Sequence, residues 1–265
     1  MDEPVMNDEL IGDLSKPSLL LLATEGGRAI TELGLSLPFR NLYKPKLYQS
    51  DGHPVLVLPG FMASKPSTTI LRKFIGKLGF SVYDWGLGRN FAKVEYLDAL
   101  TETLEHLYLK YNKRVSLVGW SLGGVFARQL AKRRPHLVRQ VITLGSPFRG
   151  LTKPSNAIWL YNIVSGGKSV SQVDPDFLMS LEHPADVPTT AIYTKEDGVV
   201  SWRYCMEEQE TDIHQNIRVR GSHIGLGHNP SVLHVIADRL QYNQDNWSRF
   251  QPKNVIRKRL FYPSG

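Results

Sequence analysis

The sequence predicts an α/β fold, a mostly parallel sheet covered by helices on both faces and carrying an inserted cap. Short apolar runs, the kind expected of strands buried on both sides, alternate with amphipathic stretches at helical spacing. Each run ends in turn residues, and Val115-Ser116-Leu117-Val118-Gly119-Trp120-Ser121-Leu122-Gly123-Gly124 ends in Gly-x-Ser-x-Gly before becoming Val125-Phe126-Ala127-Arg128-Gln129-Leu130-Ala131. This pattern spells strand, sharp turn, helix. Such alternation predicts a sheet with crossover helices on its two faces.

At 265 residues and 42% hydrophobic composition the chain can bury a substantial core as one large domain. Residues 1 to about 16 are expected to form a flexible leader, 17 to 242 the main domain with its cap at about 150 to 187, and 243 to 265 a basic C-terminal segment. Met1 to Glu9 is acidic where a secretory signal would be basic, and no apolar run follows that could span a bilayer. The single cysteine, Cys205, excludes an internal disulfide and a cysteine-based zinc cluster, and a reducing cytoplasm suits it.

Pro17 to Leu35 is expected to be a broken amphipathic helix, interrupted at Gly26-Gly27 and packed on the core by its leucines. The first strand, His53 to Leu58, breaks at Pro59-Gly60-Phe61-Met62. A helix over Ser67 to Lys77, a strand over Phe80 to Trp85 and a long helix over Val94 to Tyr111 lead to the Val115 strand. Val138 to Leu144 is the next strand. Residues from about 150 to 187 mix polar, Gly and Pro content with Trp159, Tyr161 and Phe177, and are assigned to the cap. Strands over Pro188 to Tyr193 and Ile213 to Val219 and a helix from Pro230 to Tyr242 complete the pattern.

Functional loops in such a sheet gather at the carboxyl ends of the strands, where Ser121, Asp197 and His223 all fall. A serine at a strand-to-helix elbow is held in a strained backbone conformation that lifts its hydroxyl above the sheet. Serine is a weak nucleophile until a base activates it. His223, in the glycine-rich loop Arg220 to Pro230, is the candidate base, preferred over His228, which adjoins the helix cap Asn229. Asp197, in Thr194-Lys195-Glu196-Asp197-Gly198, is the candidate carboxylate that would orient the imidazole, with Glu196 its substitute. Backbone N–H groups of Leu122 and of Phe61, or of Met62 in its place, are the candidate donors to a developing oxyanion. Cys205 follows no elbow and is assigned to packing. The cap aromatics are assigned to core, with an acyl-chain wall as the alternative.

The remaining histidines, His53 among them, show no spacing that would ligate a metal, and neither metal nor cofactor is expected. The net charge of +7 comes with no aromatic-interleaved basic stripe, so nucleic acid is not an expected partner. Arg249, Lys253, Arg257, Lys258 and Arg259 are read as a solvated basic tail, with peripheral contact to an anionic membrane as the alternative. Nothing here fixes an oligomeric state.

Together, Gly119-Trp120-Ser121-Leu122-Gly123-Gly124, Pro59-Gly60-Phe61, Asp197-Gly198 and Gly221-Ser222-His223-Ile224-Gly225-Leu226 resemble the α/β-hydrolase superfamily, in its bacterial lipase/esterase-like branch, over roughly residues 52 to 242. Trp120 stands where that branch often has histidine before the serine, and Pro59 where it often has histidine before the oxyanion-loop glycine. The resemblance implies hydrolysis of small-molecule carboxylic esters through an acyl-serine intermediate without metal or organic cofactor. Acyl transfer and thioester cleavage use the same triad, and a non-catalytic binding module on this fold is a further alternative.

Overall fold

A computed structural model describes residues 17–42, 50–149, 180–243, 245–252 and 261–263. Six parallel strands, β1 (Pro54–Leu58), β2 (Ser81–Asp84), β3 (Val115–Trp120), β4 (Val138–Leu144), β5 (Thr189–Tyr193) and β6 (His214–Arg218), lie side by side in the order β2-β1-β3-β4-β5-β6. The order reverses between β1 and β3, the topological switch point of a doubly wound sheet. All six strands fall where the apolar runs predict them.

Alternation along the strands divides the core into two layers. Leu56, Leu58 and Leu117 face a layer built with Leu100 and Leu104 of α3 (Tyr96–Tyr111) and Val125 and Leu130 of α4 (Leu122–Arg133). Val55, Val57 and Val118 face the other, with Phe74 and Ile75 of α2 (Thr69–Lys77) and Val232, Val235 and Ile236 of α5 (Pro230–Leu240). Each of those side chains is buried, and full burial of one such side chain contributes about 1.5–3 kcal/mol. The two clusters hold the sheet as a stiff platform whose carboxyl edge carries the loops of interest.

The first helix, α1 (Leu19–Leu42), departs from expectation. It runs unbroken through Gly26-Gly27, and Leu19, Leu20, Leu22 and Ile30 point to solvent. Its inward stripe is Leu21, Glu25, Arg28, Ala29, Glu32, Leu33 and Ser36, mostly polar residues at helical spacing. A glycine pair costs about 1 kcal/mol per residue but removes no hydrogen bond, so tertiary contacts carry the helix across it. No helix among the described residues is long and apolar enough to cross a membrane.

The expected leader, most of the expected cap (150–179) and the tail residues Lys253, Arg257, Lys258 and Arg259 lie outside the described residues. Of the residues at the end of the expected cap, Leu181, Ala185 and Val187 are buried in the layer with α3 and α4. Arg249 is tied down, donating to Glu210 at 2.8 Å and to the Thr211 carbonyl at 2.8 Å.

Candidate active site

Ser121 ends the turn between β3 and α4 at φ 53°, ψ −126°, a backbone conformation that a residue with a side chain seldom adopts. The crowding around it explains why small residues flank it. A Cβ on Gly119 would fall 2.3 Å from Gly124 Cα, and one on Gly123 would fall 2.3 Å from the Leu58 carbonyl oxygen. The Ser121 N–H donates to Leu144 O at 2.8 Å, which locks the elbow to the end of β4.

The structure brings Asp197 and His223 together. His223 Nδ1 lies 2.6 Å from Asp197 Oδ2, and both side chains are buried. Asp197 Oδ1 accepts from the Val199 and Val200 N–H groups at 2.9 and 2.7 Å, so both carboxylate oxygens are engaged. Glu196 is turned away, accepting instead from the Gly221 N–H at 2.9 Å. His228 is likewise occupied elsewhere: its Nε2 pairs with the Ala29 carbonyl at 3.0 Å, and Asn229 caps α5 by accepting from Ser231 N–H at 2.9 Å.

Gly145, which sequence reasoning passed over as a strand end, joins the two halves of the site. It follows Leu144, the residue that holds the Ser121 N–H, and a Cβ on it would fall 3.1 Å from His223 Nδ1 and 3.3 Å from Asp197 Oδ2. The Trp120 indole N–H reaches the His223 carbonyl at 3.1 Å, a second tie from the elbow to the histidine loop. No hydrogen bond joins Ser121 to His223 among the described residues, and such bonds are often long until substrate is bound.

The loop after β1 passes beside the serine, since a Cβ on Gly60 would fall 3.2 Å from Ser121 Cβ. Met62 donates its N–H to Asn90 O at 2.7 Å and is already committed. The Phe61 N–H makes no hydrogen bond among the described residues, and the Leu122 N–H opens α4 with no carbonyl partner within it. The geometry thus leaves the expected pair, Phe61 and Leu122, as donors without an acceptor among the described residues. Buried Asn90, in the loop after β2, staples this turn by donating to Pro59 O at 2.9 Å and exchanging backbone bonds with Met62 and Ala63. Its place at the carboxyl edge is the signal that could have found it.

A second Ser–His–Asp chain lies at the opposite, amino end of the sheet. Ser116 Oγ is 2.8 Å from His53 Nε2, and His53 Nδ1 is 2.6 Å from Asp51 Oδ1. Ser116 and His53 are fully buried and Ser116 sits inside β3, with neither elbow nor access. Burial pushes the His53 imidazole below its ordinary value, so the neutral ring donates through Nδ1 and accepts through Nε2. The arrangement pins β1 to β3. Cys205 is also fully buried, with its thiol pushed up by burial and by the Asp197 charge, and it packs as expected.

A parallel doubly wound sheet with a strained serine elbow after its central strand and acid and histidine on later loops is the α/β-hydrolase fold. The family model of palmitoyl protein thioesterases matches residues 54–195, more than half of the chain, and the chain belongs to that family. It is 35% identical to rat (Rattus norvegicus) phosphatidylcholine-sterol acyltransferase over 77 residues, 27% of this chain and 17% of that protein. It is 41% identical to a pimeloyl acyl-carrier protein methyl ester esterase of Aromatoleum aromaticum over 49 residues, 18% of this chain and 20% of that protein. The chain therefore matches only a fifth or less of either curated relative's length. Among solved structures, mature Bacillus licheniformis lipase is similar with a TM-score of 0.53 at 16% identity, over 73% of this chain and 94% of that one. Aspergillus fumigatus lipase B gives 0.53 at 18% identity, over 72% and 53%.

Proposed function

We propose that the chain is a serine hydrolase that cleaves acyl esters through an acyl-serine intermediate. The observation that carries this reading is the strained Ser121 elbow joined, through Leu144 and Gly145, to the His223–Asp197 pair. His223 Nε2 takes the Ser121 hydroxyl proton as Oγ attacks the ester carbonyl, and the Phe61 and Leu122 N–H groups hold the resulting oxyanion. His223 then returns the proton to the departing alcohol. Water, deprotonated by the same imidazole, attacks the acyl-serine, and the imidazolium returns that proton to Ser121 Oγ as the acid leaves. Asp197 keeps the imidazole in the Nδ1–H tautomer and stabilises the imidazolium in both half-reactions.

The acyl chain has a place to begin. Val94, Leu97, Leu122, Val125, Phe126 and Leu181 line an apolar depression that includes the residue just after the nucleophile. A pocket so lined favours a hydrocarbon over a charged acyl group. Turnover of p-nitrophenyl esters of increasing acyl length tests the reading: the account expects activity that rises with apolar acyl length, and a folded protein inert toward all of them contradicts it.

The family match favours a second substrate class, acyl thioesters, on the same residues. Comparing kcat/KM for an acyl thioester and the oxygen ester of the same chain separates the two. An added alcohol that diverts product from free acid to a new ester would assign acyl transfer instead. We also propose that the protein works in the cytoplasm without metal or cofactor, and that its basic C-terminal segment makes any membrane contact peripheral and electrostatic.

A further inference from the structure

The polar inner stripe of α1 points at the two catalytic loops and almost nowhere else. Glu25 Oε1 accepts from the Gly198 N–H at 2.8 Å and the His223 N–H at 3.2 Å, and its Oε2 accepts from the Ile224 N–H at 3.2 Å. One buried carboxylate therefore ties the residue after Asp197 to His223 itself. One turn pair further along, Glu32 Oε1 accepts from the Ser222 N–H at 2.6 Å and Oε2 from Asn229 Nδ2 at 3.1 Å. Arg28 donates to Glu25 at 2.9 Å and to the Glu196 carbonyl at 2.8 Å, on the other side of Asp197.

We propose that α1 is a clamp on the catalytic loops, with Glu25 and Glu32 as positioning residues that fix the histidine loop against the acid loop. The proposal rests on the serine-hydrolase reading above. Neither carboxylate is hydrogen-bonded to the His223 ring, so the effect passes through the backbone. The N–H groups of Ser222, His223 and Ile224 lie at the start of a tight turn (Ile224–Gly227) and find no carbonyl within it, so an acceptor must come from outside. A buried carboxylate is costly unless donors surround it, and Glu25 takes three donors from these two loops while half-buried Glu32 takes a fourth.

Two glycines supply an independent observation. A Cβ on Gly225 would fall 2.1 Å from Glu32 Oε2, and a Cβ on Gly198 would fall 2.4 Å from the Leu21 carbonyl carbon. The glycines of the histidine loop and beside the acid thus make room for α1. A helix whose task was to cover apolar core would do so with its leucines, yet Leu19, Leu20 and Leu22 are exposed while Glu25 is buried.

The test uses the full chain with Glu25→Gln, Glu25→Ala and Glu32→Ala, read by amide hydrogen exchange and by kcat and KM on a p-nitrophenyl ester. The clamp predicts at least about 10-fold faster exchange at Gly198, Ser222, His223 and Ile224 with β3 and β5 amides unchanged. It predicts a kcat lower by about 10- to 100-fold for Glu25→Ala with KM within about threefold, because small misplacement of a catalytic group has effects of that order. Glu25→Gln, which keeps one acceptor oxygen, should recover part of the rate. Wild-type exchange in the folded variants, or wild-type kcat alongside a lowered Tm, would overturn the clamp. A wild-type protein inert toward all esters would contradict the hydrolase reading, while the exchange comparison scores the clamp separately.

Discussion

Asp197 Oδ2 and His223 Nδ1 meet at 2.6 Å, and the other Asp197 oxygen is held by two backbone N–H groups, so the carboxylate has a single orientation in which to face the imidazole. Asp197→Asn can keep the bonds from Val199 and Val200 but must then present an amide NH2 to Nδ1. His223 would be driven into the tautomer that carries its proton on Nε2 and cannot accept from Ser121. The expected outcome is a kcat lower by about 10³- to 10⁴-fold with thermal unfolding close to wild type, measured by ester turnover and calorimetry.

Asn90 holds the turn that offers the Phe61 N–H. Asn90→Ala removes the donor to the Pro59 carbonyl and the acceptor of the Ala92 N–H, leaving both unpaired in a buried site. It should lower kcat by about 10- to 100-fold through loss of oxyanion alignment and cost about 1–3 kcal/mol of stability. Steady-state kinetics with a urea titration checks both.

Two glycine-to-alanine changes should act in opposite directions. Gly119→Ala sets a methyl group against the backbone at Gly124, which cannot move without opening the elbow, and should cost about 3 kcal/mol or more. Gly76→Ala lies in α2 with open space around it and should stabilise by about 0.5–1 kcal/mol. Denaturant midpoints of the two variants measure the contrast.

Acid should weaken the protein in two stages. The His53 imidazole is pushed down by burial, so as pH falls through the ordinary value of 6.5 the unfolded chain takes a proton that the native ring refuses. Stability declines from there until pH passes the native value. Asp51, held well below the carboxylate range by its bond from His53, adds a second decline as pH falls below 3.8. His53→Gln should flatten the first stage in a plot of unfolding free energy against pH.

Cys205 should be inert in the folded protein. Its buried thiol, kept protonated by desolvation and the Asp197 charge, should resist iodoacetamide at pH 8 and react once the chain is unfolded, a difference that intact mass measures directly.

The sheet was legible because its strands are apolar runs punctuated by Gly and Pro, and the elbow because its geometry demands small residues at fixed offsets. Asp197 and His223 were legible from their place after β5 and β6. Helix α1 was misread for a physical reason: hydrophobic periodicity credits leucines with burial, but this helix docks on backbone N–H groups and so buries Glu25 instead. The polar spacing of Glu25, Arg28 and Glu32 carried the signal. Asn90 and Gly145 act through what they touch across the fold, at 2.9 Å from Pro59 O and beside the His223–Asp197 pair; their places just after strands mark the edge they stand on, but not those contacts.

The central claim is that Ser121 is a nucleophile activated by its surroundings. Treating the folded protein with a fluorophosphonate, followed by intact mass and peptide mapping, tests it most directly. The account predicts one adduct, on Ser121, absent in Ser121→Ala and strongly slowed in His223→Ala. Folded wild-type protein that takes up no label, or that carries it on any other residue, would contradict the account.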